Sequence, residues 1–215
     1  QRRDGAAFLS IPFDEAVRFF RDKRVMTPDE FDAIESRFRD GGFVARGLAT
    51  ERTVQTARDL IERLLEQGLT LADVRAQLTE AESDASASLG VSPAAPWYLD
   101  TVVRTAVAGA YGAGRFAAIT DPNVMALRPW GQQRTSDDSR VRPGHAALNG
   151  LVFTNGGDLA ARYAPPLFYN CRCTQVTLSQ RQFEARGLAE QTDRVAAMEA
   201  EEFWAGVPGP LTADA

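Results

Sequence analysis

With 215 residues, 44% of them apolar and 25% charged, the chain has an ordinary globular composition and can bury one sizeable core or two small ones. No stretch of about 18 uninterrupted apolar residues occurs, which argues against a membrane-spanning helix, and the opening residues lack the basic-then-apolar pattern of a secretory leader. The expectation is a soluble protein with no membrane partner. The net charge of −5 is uneven: residues 1–100 and 187–215 each carry −5, and residues 101–186 carry +5. A basic middle between acidic flanks favours an anionic partner, either nucleic acid or an acidic protein surface. The alternative is a chance asymmetry in a folded mixture of charges.

Helical periodicity opens the chain. From Asp14 to Arg24 the apolar residues Ala16, Val17, Phe19 and Phe20 share one face, with Phe13 placed to staple the entering chain. Thr27-Pro28-Asp29-Glu30 reads as a capping box with proline at the first helical position. Phe31, Ile34 and Phe38 continue its stripe until Gly41-Gly42. A longer helix is expected from Thr50 to Gln67 on Val54, Ala57, Ile61, Leu64 and Leu65, stopped by Gly68. Thr70 to Asp73 starts another, with Leu71, Val74 and Leu78 facing inward. Residues 1–82 therefore read as a helical subdomain. Residues 83–96, small and polar with two prolines, read as a linker.

Pro96 then starts a long helix over Trp97 to Ala118. Its Ala106, Gly109, Ala110, Ala113 and Gly114 let a neighbouring backbone approach closely, although glycine weakens a helix. This helix is expected to be central to the fold or to an assembly interface. Beyond Asp121-Pro122 the pattern changes. The runs Val124–Leu127, Leu151–Phe153 and Cys171–Leu178 are expected strands, Ser179 caps a short helix through Arg186, and a last helix covers Glu190–Trp204. The fold class is α+β and helix-dominated. It comprises a helical subdomain (1–82), a linker (83–96), a core of the long helix plus a small sheet (97–186), and a C-terminal helix and tail (187–215).

The chemically versatile side chains gather between Asp137 and Cys173. This stretch holds the only histidine, His145, and both cysteines, Cys171 and Cys173. A disulfide between cysteines one residue apart is geometrically strained. Imidazole and thiolate are zinc donors, so His145, Cys171 and Cys173 form a candidate metal site, with Asp138 or Asp137 the nearest fourth ligand in sequence. The alternative places both cysteines on one face of a strand and gives His145 a carboxylate or carbonyl partner. Arg140, Arg142 and Arg172 can fork onto Asp137 and Asp138, or meet phosphate. Residue order establishes no Ser-His-Asp or Cys-His unit, and no P-loop occurs, so no catalytic residue is assigned.

These features form an ordered series. Pro96-Trp97, Thr101-Val102-Val103-Arg104-Thr105, Ala110-Tyr111 and Ala113-Gly114-Arg115 are followed by Asp138-Ser139-Arg140-Val141-Arg142-Pro143-Gly144-His145. Leu148-Asn149-Gly150, Pro165-Pro166 and Asn170-Cys171-Arg172-Cys173 complete it. Over about residues 50–186 the chain resembles the phage Mu F-like minor head protein (phage head morphogenesis) family. It departs from that family's pattern at Asn149, where Asp is usual, and at residues 154–158, where an acidic, aromatic-containing segment is usual. Those departures weaken any enzymatic or metal role that depends on the missing acids, and leave a structural role intact.

The resemblance implies a virion component inside the head near the portal, made in the host cytoplasm. It implies portal protein and major capsid protein as partners, with packaged double-stranded DNA a further one, and a role in head assembly and in genome packaging or DNA passage. Arg140, Arg142, Arg172, Arg104 and Arg115 then become structural or anion- and portal-contacting residues of the motif, with no cofactor required beyond the zinc a His/Cys site would take. Two rivals remain. One is a metal-dependent or nucleotide-directed enzyme built on Asp138, Arg140, His145, Cys171 and Cys173; the other is a DNA-binding module using the central arginines. The overall acidity disfavours the latter, because sequence-independent DNA binding is chiefly phosphate neutralisation.

Overall fold

Local caps set the helices of the N-terminal half. The computed structural model of the protein describes residues 13–33 and 41–191. Helix α1 (Asp14–Arg21) buries Ala16, Val17 and Phe20, and α2 (Pro28–Ala33) starts at Thr27, whose hydroxyl accepts from Glu30 N–H while Glu30 accepts from Thr27 N–H. Helix α3 (Glu51–Gln67) begins where the Thr50 hydroxyl accepts from Thr53 N–H at 3.1 Å. It ends at Gly68, whose φ of 71° is the left-handed conformation glycine adopts at no cost. Helix α4 (Leu71–Leu89) opens on the reciprocal Thr70–Asp73 capping box.

Helix α4 corrects the expected linker. It runs through residues 83–89 and stops at Gly90, so only residues 90–95 connect it to α5 (Pro96–Ile119). The cause is tertiary. Glu82 is only 1% exposed, and its carboxylate accepts from Ala49 N–H at 3.1 Å and from Ala94 N–H at 3.0 Å. A buried carboxylate is tolerable only when its lone pairs are met in this way. Glu82 thereby anchors the chain on both sides of the α3–α4 pair. Two two-residue strands, β1 (Arg24–Val25) and β2 (Gly42–Phe43), pair in parallel, so the N-terminal subdomain is not wholly helical.

The chain divides into two units at Gly114/Arg115, within α5, rather than in a linker before it. In the first unit, α1, α3, α4 and most of α5 enclose a core that includes Phe20, Ala57, Ile61, Leu78, Leu99 and Ala110. The small-residue stripe of α5 is used selectively. A Cβ on Gly114 would lie 2.6 Å from the Ala16 backbone nitrogen of α1, whereas one on Gly109 would meet nothing within 4 Å.

In the second unit, Asp121 and Pro122 start a helix, α6 (Pro122–Leu127), in place of the strand expected over Val124–Leu127. The Asp121 carboxylate accepts from Asn123 N–H at 2.8 Å, a helix-start signal that outweighs a short apolar run. The strand lies just beyond, as β3 (Trp130–Arg134). It is the centre of a three-stranded antiparallel sheet in the order β4-β3-β5, with β4 at Val152–Thr154 and β5 at Thr174–Leu178. Gly131 faces Phe153 across the β3–β4 pair, and the phenyl ring occupies the space a side chain would need.

Two short helices, α7 (Pro143–Ala147) and α8 (Asp158–Arg162), lie in the connections between these strands. Helix α9 (Gln180–Ala185) follows β5, capped by Ser179 as the sequence indicates. Its Phe183 stacks on Trp130 at 4.1 Å between ring centres. Among the described residues of this unit, Leu148, Leu151, Phe153, Ala160, Tyr163, Leu167 and Cys171 form a buried cluster. The fold is α+β and helix-dominated, as expected. The expected Glu190–Trp204 helix lies, beyond its first two residues, outside the described residues.

The contrast along α5 is directly testable. Gly114→Val should lower stability by roughly 1–3 kcal/mol through overpacking against Ala16. Gly109→Ala should raise it by about 0.5–1 kcal/mol through helix propensity. Urea unfolding midpoints of the two variants check both signs.

Candidate metal centre

Two segments distant in sequence meet to form the site. Arg142 precedes α7 in an extended conformation and Pro143 occupies its first turn, which places His145 on a five-residue helix with its ring 4% exposed. The turn Leu148-Asn149-Gly150, with Gly150 at φ 79°, brings the chain back toward β4. The other segment is residues 170–173, just before β5. Asn170 sits at φ 54°, a left-handed conformation that asparagine tolerates better than most residues, and the chain emerges from it into Cys171. Nothing in the sequence pattern singled out Asn170 for this role; an asparagine directly before two ligand-type residues is the signal that was there.

From that turn the side chains alternate. Cys171 and Cys173 both face His145, with Nδ1 3.7 Å from the Cys171 Sγ and 3.6 Å from the Cys173 Sγ. The Cys173 backbone N–H also donates to the Cys171 sulfur, at 3.4 Å. These three residues are the one His/Cys/Asp/Glu group among the described residues with ligand atoms close enough to share an ion, all within 4.8 Å of one another. Both cysteines are free thiols. The His145 Nε2 is buried and has no hydrogen-bond partner among the described residues.

Arg172, between the two cysteines, reaches Asp138 instead. Its two terminal nitrogens donate to the two carboxylate oxygens at 2.6 and 2.7 Å, a forked pair. Asp138 also accepts from Arg140 N–H at 3.0 Å, which closes the turn before α7. Asp138 therefore stands outside the His/Cys group, with both oxygens engaged by Arg172. Asp137, the other acid expected nearby, sits at φ 52°, and its N–H donates to the Thr135 hydroxyl.

The remaining motif arginines are also engaged. Arg142 donates to the Tyr169 carbonyl at 3.0 Å and lies over the Phe168 ring at 4.8 Å, tying α7 to the segment leading into Cys171. Arg115 donates to the Gln175 carbonyl at 2.9 Å. Arg104 pairs with Asp100 at 2.6 Å in the first unit, so it is not part of this cluster. Arg140 is mostly open, its side chain 79% exposed and 3.7 Å from Asp138.

The electrostatics follow from these contacts. Hydrogen bonding from Arg172 holds the Asp138 carboxyl well below the usual carboxylate range. The cysteines titrate as a pair. The hydrogen bond from Cys173, helped by His145 and opposed by burial, lowers Cys171. The same bond, with burial and the Cys171 charge, raises Cys173. One thiolate thus forms readily at this position.

The fold and this cluster define a helix-dominated α+β protein whose second unit brings together one histidine and a Cys-x-Cys pair. The chain belongs to the Phage Mu protein F like family, whose model matches residues 55–176 and so spans every residue of the cluster. It is 28% identical over 204 residues to the putative capsid assembly protein F of Escherichia phage Mu, covering 87% of this chain and 45% of that protein. It is 33% identical over 93 residues to the Mu-like prophage FluMu F protein of Haemophilus influenzae, covering 43% of this chain and 22% of that one. The chain thus spans less than half the length of these relatives. No solved structure matches it.

The clamp carries a pH signature. Because the folded-state pKa of Asp138 is lowered, its contribution to stability is fully present above the unfolded carboxylate value of about 4 and is lost as pH falls from there toward the folded value. Asp138→Asn should therefore melt at a lower temperature than the wild type near neutral pH. The gap should narrow once the pH drops below about 4. Thermal unfolding of the two proteins across that range measures it.

Proposed function

We propose that this protein is a phage head assembly component, a minor head protein that sits inside the virion head near the portal and contacts portal and major capsid proteins. The observation that carries this reading is similarity over 87% of the chain to a protein described as a putative capsid assembly protein, within a family that the chain itself belongs to. Its work is to assist head assembly and genome packaging or DNA passage. No described helix is long and apolar enough to cross a membrane.

The role is structural rather than enzymatic. In support, the acid that the rival enzyme would need, Asp138, is committed to Arg172, and Arg142 and Arg115 are committed to backbone carbonyls. Contact with packaged DNA is a second component of the reading, and the mostly exposed Arg140 favours it.

Co-expression with the portal protein of the same phage tests the main reading. The protein should co-purify with the portal oligomer through size exclusion; elution as separate species would contradict it. Binding to double-stranded DNA, where it occurs, should weaken as salt rises, and Arg140→Ala should reduce the salt slope by about one. A flat salt dependence would rule out phosphate contact.

A further inference from the structure

The geometry points to a zinc site in which His145 Nδ1, Cys171 Sγ and Cys173 Sγ supply three ligands and water supplies the fourth, independently of the assembly reading. The distances support it first. Ideal bonds of about 2.0–2.1 Å to nitrogen and 2.3 Å to sulfur at tetrahedral angles put the two ligand atoms about 3.6 Å apart. The observed N···S separations are 3.6 and 3.7 Å. They match two edges of a metal tetrahedron.

The chemistry of the donors is the second support. Two thiolates and one neutral imidazole are a soft set that suits zinc, and two thiolate charges cancel that of a divalent ion in a largely buried place. The Cys173 N–H donates to the Cys171 sulfur, a backbone contact of the kind that orients a thiolate ligand.

The third support is the histidine itself. Its ring is buried, Nε2 has no partner among the described residues, and Nδ1 faces only sulfur. A polar ring costs free energy in such a place unless something satisfies it. A metal at Nδ1 gives that nitrogen a full ligand partner and leaves the proton on Nε2, which has no partner among the described residues in either case.

Asp138 is not the fourth ligand, because Arg172 holds both of its oxygens. No other His, Cys, Asp or Glu among the described residues joins the group. An ion here would tie α7 to the segment before β5 across more than two dozen residues.

Elemental analysis of the full chain, purified from zinc-supplemented medium without chelator, tests the assignment. The expected content is about one zinc per chain. Cobalt(II) exchanged into the wild type should give a thiolate-to-cobalt charge-transfer band and the visible bands of a tetrahedral ion. Cys171→Ser and Cys173→Ser should each weaken the charge-transfer band, and the double variant should abolish it. His145→Ala should lower zinc affinity at least tenfold. Wild-type protein with negligible zinc and no cobalt charge-transfer band would overturn the proposal without any variant having to fold. Full zinc occupancy in the double cysteine variant would overturn the ligand assignment.

Discussion

The alternation of side chains at Cys171-Arg172-Cys173 constrains the whole second unit. Neighbouring residues in extended chain point to opposite sides, so this tripeptide sends two sulfurs one way and a guanidinium the other. The sulfurs meet His145 of α7, and the guanidinium grips Asp138 of the turn that launches α7. Two contacts on opposite sides of one short segment fix the position of α7. The strand register of β5 begins one residue later, so the sheet inherits the same placement. Arg142 adds a third tie, from the start of α7 to Phe168 and Tyr169.

A different economy governs the first unit. Its helices begin and end on local caps, but they are held together by burial and by one buried acid, Glu82. The close approach of α5 to α1 at Gly114 leaves no room for a side chain. Capping sets where helices start, while burial decides that they persist. Both units therefore combine inexpensive local signals with a few long-range contacts that no short window of sequence contains.

That division explains what was legible. Thr50, Gly68, Thr70 with Asp73, and Ser179 are local signals, and the helix ends they mark lie where the sequence indicates. The continuation of α4 through 83–89 was not legible, because serine and aspartate favour turns as readily as helix; burial of Glu82 and Ser86 decides it. The strand Trp130–Arg134 escaped notice because Gly131, Gln132 and Gln133 are poor strand formers, yet all three are buried at the centre of the sheet. Residues 124–127 illustrate the opposite error, a short apolar run that fits strand or helix equally well. Of the candidate site, the grouping of His145 with Cys171 and Cys173 was one of two arrangements the sequence left open. That Asp138 would be claimed by Arg172 was not legible, since sequence lists possible partners for a carboxylate without ranking them.

The central claim is that α7 and the segment entering β5 are one cooperative unit joined through His145, Cys171 and Cys173. Amide hydrogen exchange on the wild type and on Cys173→Ser measures this most directly, read at α7 (143–147) and across 171–178. The account predicts that both segments lose protection together in the variant, while α3 and α4 keep theirs. Loss confined to the residues around position 173, with α7 as protected as before, would contradict it.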